Sequence, residues 1–329
     1  MISLTYVSGA DVDALALSDD EILDAVERVL AAQGRGETVI EPRTHLFPRD
    51  ADGHFNVLRG ATPRFAGVKV VGDFVNNHAL GLPSEMALVL LMDPTTGVPQ
   101  AILDGTAITE MRTGAVTAIG ARHLARRGAR VLGHIGARGT AYWNVRLTAR
   151  VLPELEVIRV HSRRPESRDA FAARLRADLG RPIEVTNDWE SCARGADVVV
   201  EASRLTEPDP LLKTEWIQRG ALVVPYGTVS AVELQLTDIM DKIVVDDWGQ
   251  TGAGPLGALR AHIDTGRVTR ENLHAELGEI VCGARPGRES EDETILFWHR
   301  GLSITDVALA EAMLDKARAR GLGTELPYR

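Results

Sequence analysis

Apolar residues at Ile22, Val26, Val29 and Leu30 recur at helical spacing behind Ser18 and Glu21, a pair with the form of a capping box. The pattern predicts a helix that ends near Gln33. Short apolar runs follow at 54 to 60, 67 to 74 and 85 to 93, and Asp93-Pro94-Thr95-Thr96-Gly97 makes a turn before Val98 to Gly105, so the first third reads as an antiparallel sheet. From Thr109 the texture is helical. Its small residues, Gly114, Ala115, Ala118, Gly120 and Ala121, predict close packing, and Gly128 marks the end. Six strand candidates then alternate with helix-like segments, at 129 to 135, 156 to 162, 183 to 187, 196 to 202, 221 to 227 and 242 to 248. Nearly continuous apolar strands of this kind are buried on both faces, which predicts a doubly wound parallel sheet with a nucleotide site. Beyond Trp248 the pattern predicts helices at 256 to 263 and 271 to 282, a short apolar run at Ile295 to His299, and a last helix from Thr305 to Arg320.

With 329 residues the chain is long enough for two domains, each with its own core. Its 44% hydrophobic and 25% charged residues are those of a soluble globular protein rather than a disordered one. The net charge of −9, with no dense basic run, argues against a nucleic-acid partner. Cys192 and Cys282 stand 90 positions apart, which is neither a disulfide framework nor a zinc spacing, and a reducing cytoplasm is expected. The opening residues lack the form of a targeting signal, and the longest apolar run, Met86 to Met92, is too short for a bilayer. The acidic run 288 to 293 reads as a solvated linker rather than a metal site.

The candidate chemistry begins where the first of the alternating strands meets Gly136-Ala137-Arg138-Gly139-Thr140-Ala141 and then a helix, a setting in which backbone N–H groups and a helix N-terminus face a pyrophosphate. Gly136 and Ala141 fill the first and third places of the G-x-G-x-x-G/A frame, and Arg138 stands in the middle one. Gly133 and Gly139 leave other frames open. The second strand ends in His161-Ser162-Arg163-Arg164, where an NAD-preferring domain would place a carboxylate on the ribose hydroxyls. A hydroxyl and two guanidinium groups instead suit a 2′-phosphate, which predicts NADP(H) ahead of NAD(H). Lys69 sits among Val68, Val70 and Val71, where an unpaired ammonium would be costly.

Pro42-Arg43-Thr44, Gly67-Val68-Lys69-Val70, Gly81-Leu82-Pro83-Ser84, Asp104-Gly105, and Ile108-Thr109 with Arg112-Thr113-Gly114-Ala115 occur in that order ahead of the Gly136 turn. Together they make the chain resemble the ornithine cyclodeaminase and mu-crystallin family over nearly its whole length. The resemblance implies an α/β protein: a Rossmann-type doubly wound parallel sheet over residues 116–301, and an α+β substrate-binding and dimerisation domain from residues 1–115 plus 302–329, assembled as a homodimer. It places Arg43, Lys69 and Arg112 on a substrate-carboxylate clamp and Ser84 on the hydroxyl of the family's G-L-P-[ST] motif. Cofactor contacts are expected from Arg112, Thr113, Gly136, Ala137, Arg138, Gly139, Thr140, Ser162, Arg163, Arg164 and Thr228.

Cyclodeaminases of the family carry an Asp after the fifth strand, where this chain has Tyr226-Gly227-Thr228. A hydroxyl orients a water or an amine but is no base near neutral pH. The expected activity is therefore NAD(P)-dependent hydride transfer to or from a small amino or imino acid, as in a ketimine reductase or alanine dehydrogenase. Lys69 and Thr228 are the candidate catalytic residues. Conversion of ornithine to proline and ammonia is the first alternative, and a non-catalytic NADP(H)-binding protein the second. Asp246 and Asp247 cap a following helix or stand in for the missing Asp, and the resemblance matches Asp306 to a family Asp at the start of the last helix, as a cap or a catalytic carboxylate. Substrate side-chain selectivity is left among His54, Asn76, Asn77 and His78.

Overall fold

A computed structural model describes residues 2–329 except Thr228, Ala253 and Pro255, with the side chain of His78 also outside the description. The chain forms two compact units, Met1–Arg112 with Gly301–Arg329, and Thr113–Arg300.

The first unit is a seven-stranded sheet with helices on one face. Its strands are β1 (Ser3–Val7), β2 (Val39–Leu46), β3 (His54–Ala61), β4 (Ala66–Asp73), β5 (Glu85–Met92) and β6 (Pro99–Asp104), with the C-terminal strand Thr324–Pro327 at one edge. The order is C-terminal strand, β1, β6, β5, β4, β3, β2. Strands β2 to β6 pair antiparallel, as the hydrophobic pattern predicts for β3 to β6, while β1 lies parallel to β6. Strands β1 and β2, the C-terminal strand and the short helix Gly9–Leu15 were not legible in the periodicity. The Asp19–Gly34 helix begins at the expected capping box, with the Ser18 hydroxyl accepting from the Glu21 N–H and the Glu21 carboxylate from the Ser18 N–H.

Alternation in β4 turns Gly67, Lys69, Val71 and Asp73 inward and leaves Val70 outward. The Ser303–Arg320 helix packs on β3 and β4. Gly60 and Gly67 permit this: a Cβ at either would stand 2.4 Å from Ser303 Oγ or Val307 Cγ2. Missing side chains in the sheet thus seat the first turn of the helix directly over β3 and β4.

The second unit is an eight-stranded sheet, with β7 (Val131–Ile135), β8 (Val157–His161), β9 (Ile183–Val185), β10 (Val198–Glu201), β11 (Leu222–Pro225), β12 (Lys242–Val245), β13 (Ala275–Glu276) and β14 (Ile295–Trp298). The order is β13-β12-β14-β11-β10-β7-β8-β9, and every pairing is parallel. All six predicted strands are present. The apolar run at 295 to 298 is a further strand, inserted between β11 and β12. The helix expected over 271 to 282 is shorter, Leu277–Val281, because residues 275 and 276 extend to pair with β12. The long helix starts at Gly105 rather than Thr109. Its Gly114 meets the Gly139–Val151 helix so closely that a Cβ would lie 2.4 Å from the Trp143 carbonyl carbon.

Candidate functional site

In the first unit, β4 brings Lys69 to the inner face between Leu58 and Val89, its cross-strand neighbours. The side chain is 1% exposed. Its ammonium donates to Asp306 Oδ1 at 2.6 Å and to Thr109 Oγ1 at 3.1 Å. Arg112 Nε donates to the same Asp306 oxygen at 2.8 Å, and Asp306 Oδ2 is buried without a hydrogen-bond partner among the described residues. Arg43 donates to the Gly301 carbonyl at 2.9 Å. Gly301 has φ +83°, and a Cβ there would stand 1.9 Å from Arg112 Nη1, so glycine alone lets the chain turn past that guanidinium. Lys69 and Arg112 thus share the Asp306 carboxylate, and the Arg43 charge acts on the same ammonium.

Burial penalises the Lys69 ammonium first, the adjacent Arg112 charge next and Arg43 further, while Asp306 opposes them. The result is an amine pushed down to about 7 from its ordinary 10.5. Ser84 stands apart from this group. It is half-buried in the turn before β5, where its carbonyl accepts the Phe74 N–H, and no hydrogen bond ties its hydroxyl to the three cations among the described residues.

Asp306 is not the cap of its helix. Leu302 occupies that position, and the Asp306 carboxylate faces Lys69 and Arg112 instead. Asp247 does cap, accepting the Gln250 N–H at 2.7 Å, and Asp246 accepts the N–H groups of Asp247 and Arg300. Thr228 lies outside the described residues. His54 packs its ring against His45 and Phe47, and Asn77 donates to the Pro83 carbonyl.

In the second unit, β7 ends at Ile135 and the next helix begins at Gly139. Gly136 has φ +118° and lies against Ala202, whose carbonyl oxygen would be 2.5 Å from a Cβ. Gly133 packs inside the sheet layer against the Cys192 carbonyl, so the frame that begins at Gly136 is the turn. Arg138 precedes the helix without a side-chain cap, and its carbonyl accepts the Ala141 N–H. A cavity of about 330 Å³ opens here, lined by Gly136, Ala137, Arg138, Ser162, Arg163 and Arg164, and also by Trp189, Ser203 and Arg204. No Asp or Glu lines it among the described residues. Thr140 shares a hydrogen bond with the Tyr226 hydroxyl at 3.1 Å, and Thr113 is buried, its carbonyl accepting the Thr117 hydroxyl. Arg112, expected on both substrate and cofactor, makes its ion pair within the first unit.

Two buried groups at this sheet end were not foreseen. His134, in β7, lies 3.0 Å from the Gly136 carbonyl through Nδ1, which must donate since a carbonyl only accepts. Burial pushes this ring down to about 4, so it is neutral. Glu201 ends β10, accepts the Ser203 N–H at 2.7 Å through Oε1, and is pushed up to about 7 by burial. In sequence both look like ordinary strand residues.

A glycine turn at the carboxyl edge of a parallel sheet, an uncapped helix behind it and an arginine-lined cavity define a dinucleotide-binding α/β protein with a second, cation-bearing unit. The profile of the ornithine cyclodeaminase/mu-crystallin family matches residues 5–321, and the chain belongs to that family. It is 30% identical over 315 residues, 95% of each chain, to an alanine dehydrogenase of Archaeoglobus fulgidus. Its fold is similar to that of a Thermococcus litoralis Δ1-pyrroline-2-carboxylate reductase in complex with NADH and L-proline, with TM-score 0.91 and 29% identity over 98% of this chain and 99% of that one. It is similar also to an archaeal alanine dehydrogenase dimer with bound NAD, with TM-score 0.90 and 28% identity over the whole of both chains.

Proposed function

We propose that this enzyme, an NAD(P)-dependent amino or imino acid oxidoreductase of its family, reduces the C=N bond of a small imino acid, prefers NADPH over NADH, and works as a homodimer. The observation that carries the reading is the buried pair of Lys69 and Arg112 on the Asp306 carboxylate, with the half-buried Arg43 charge acting on the same ammonium. Two buried cations on one carboxylate oxygen suit a further anion, and a substrate carboxylate is that anion. Arg43 and Arg112 present planar guanidinium groups that match a carboxylate and so serve as the clamp. Lys69, titrating near neutrality, donates its proton to the substrate nitrogen and takes it back in the reverse direction.

A nicotinamide dinucleotide held at the Gly136 turn would supply the hydride chemistry that such a reaction needs. The turn fits such a group: a side chain at Gly136 would collide with Ala202, and the helix N-terminus behind it, which has no side-chain cap, suits a pyrophosphate. Arg138 adds charge beside it. Ser162, Arg163 and Arg164 line the same cavity without a carboxylate, which supports recognition of a 2′-phosphate.

The outward face of the first sheet supports the dimer. Val70, Leu88 and Met86 are 40%, 54% and 44% exposed there, and Val70 and Leu88 are cross-strand partners, so a joined apolar patch faces away from the helices. A second copy of the chain would cover it.

The test is a panel of imino acids, Δ1-pyrroline-2-carboxylate and pyruvate with ammonia among them, followed by absorbance of NADPH and NADH in parallel. Stoichiometric oxidation of NADPH with formation of the amino acid is expected. Release of ammonia and proline from L-ornithine without net NAD(P)H turnover would instead identify a cyclodeaminase.

A further inference from the structure

We propose that Asp306 is a positioning residue: by holding the Lys69 ammonium and the Arg112 guanidinium on one carboxylate oxygen, it fixes where the proton donor stands. The inference rests on the reading of Lys69 as that donor.

The carboxylate has no structural duty in its own helix. Leu302 is the cap, and Asp306, 1% exposed, directs Oδ1 to two cations at 2.6 and 2.8 Å. Its place is set from outside the side chain. Gly60 and Gly67 admit the first turn of the Ser303–Arg320 helix onto β3 and β4, and a Cβ at either would displace Ser303 or Val307. The ammonium is held from two directions, by the carboxylate and by the Thr109 hydroxyl, which leaves its third N–H for a substrate.

The charges acting on Lys69 are Arg112 and Arg43, which disfavour the ammonium, and Asp306, which favours it. Removing the carboxylate therefore loosens both cations and makes the Lys69 proton harder to keep. A salt bridge that merely braced the fold would leave the acidity of Lys69 out of the enzyme's pH profile.

The chain has four lysines, Lys69, Lys213, Lys242 and Lys316, so NMR titration of enzyme labelled at lysine Cε and Nζ resolves Lys69, with Lys69→Met for assignment. In Asp306→Asn the Lys69 signal is expected to titrate lower than in the unsubstituted enzyme by about one unit or more. The basic limb of kcat/KM for imine reduction moves with it, kcat falls about tenfold or more, and the dissociation constant for NADPH stays unchanged. Asp306→Glu restores part of the rate. Should Asp306→Asn not fold, Gly67→Ala, which lifts the helix turn, moves the Lys69 titration in the same direction. An unchanged Lys69 titration in whichever of these variants folds, or an unchanged pH profile in Asp306→Asn, overturns the proposal. Absence of turnover with every imino acid would sink the reductase reading instead, and that is seen in the unsubstituted enzyme while the lysine titration still reports on Asp306.

Discussion

The two units hold their positive charge in opposite ways. Lys69 and Arg112 are 1% and 6% exposed and share a buried carboxylate, whereas Arg163 and Arg164 stand exposed at the rim of a cavity beside the Gly136 turn. Buried charges have no water to replace a lost partner, so each member of the first group is close to indispensable. Exposed guanidinium groups are solvated with or without a ligand, and each adds a graded increment to binding. The substrate end is built to be all or nothing, while the cofactor end is built to be tuned.

The largest break in that contrast comes from Lys69→Met, which removes the proton donor. We expect kcat for imine reduction to fall by about a thousandfold, with the NADPH dissociation constant unchanged in a fluorescence titration. Equal losses in kcat and cofactor binding would contradict the division.

The pH profile sharpens it next. Reduction needs the ammonium form, so kcat/KM falls as pH rises above about 7, and amino acid oxidation, which needs the free amine, rises over the same range. Stopped-flow rates in both directions from pH 5 to 10 check the crossing.

At the exposed end a smaller change is expected. Arg163→Ala combined with Arg164→Ala raises KM for NADPH about tenfold to a hundredfold and leaves that for NADH nearly unchanged, since only the 2′-phosphate distinguishes the two. Parallel changes for both cofactors would refute the assignment of the 2′-phosphate to this pair.

The smallest effect concerns stability. Glu201 titrates near 7 when folded and near 4.5 when unfolded, so between those values the unfolded chain gives up a proton that the folded one keeps, and stability falls as pH rises. Glu201→Gln removes that loss and raises Tm by a few degrees at pH 8, with little gain at pH 4. Lys69 has the opposite sign. Its folded value lies below the unfolded 10.5, so stability rises with pH between about 7 and 10.5. Calorimetry of Glu201→Gln and Lys69→Met across pH separates the two.

Much of the fold was legible because its signals are local. Alternation marked β3 to β5, apolar runs marked the parallel strands, and Ser18 with Glu21 marked a helix start. The insertion of Ile295–Trp298 between β11 and β12 left no trace in the pattern, because strand order depends on contacts between segments far apart in the chain. The same holds for β1, whose partners are β6 and the C-terminal strand.

The candidate residues divide along the same line. Motif order singled out Arg43, Lys69, Arg112 and the Gly136 turn, and the oddity of a lysine among valines could be read from the chain alone. The meaning of Asp306 could not, since 237 positions separate it from the ammonium it meets. Nor could the roles of His134 and Glu201, whose acidity is set by exclusion of water rather than by neighbours in sequence. The order of residues thus determined which chemical groups this protein has and which segments are helix or strand. Folding decided which groups are dry and which charges face one another, because desolvation and Coulomb energy depend on distance through space rather than along the chain.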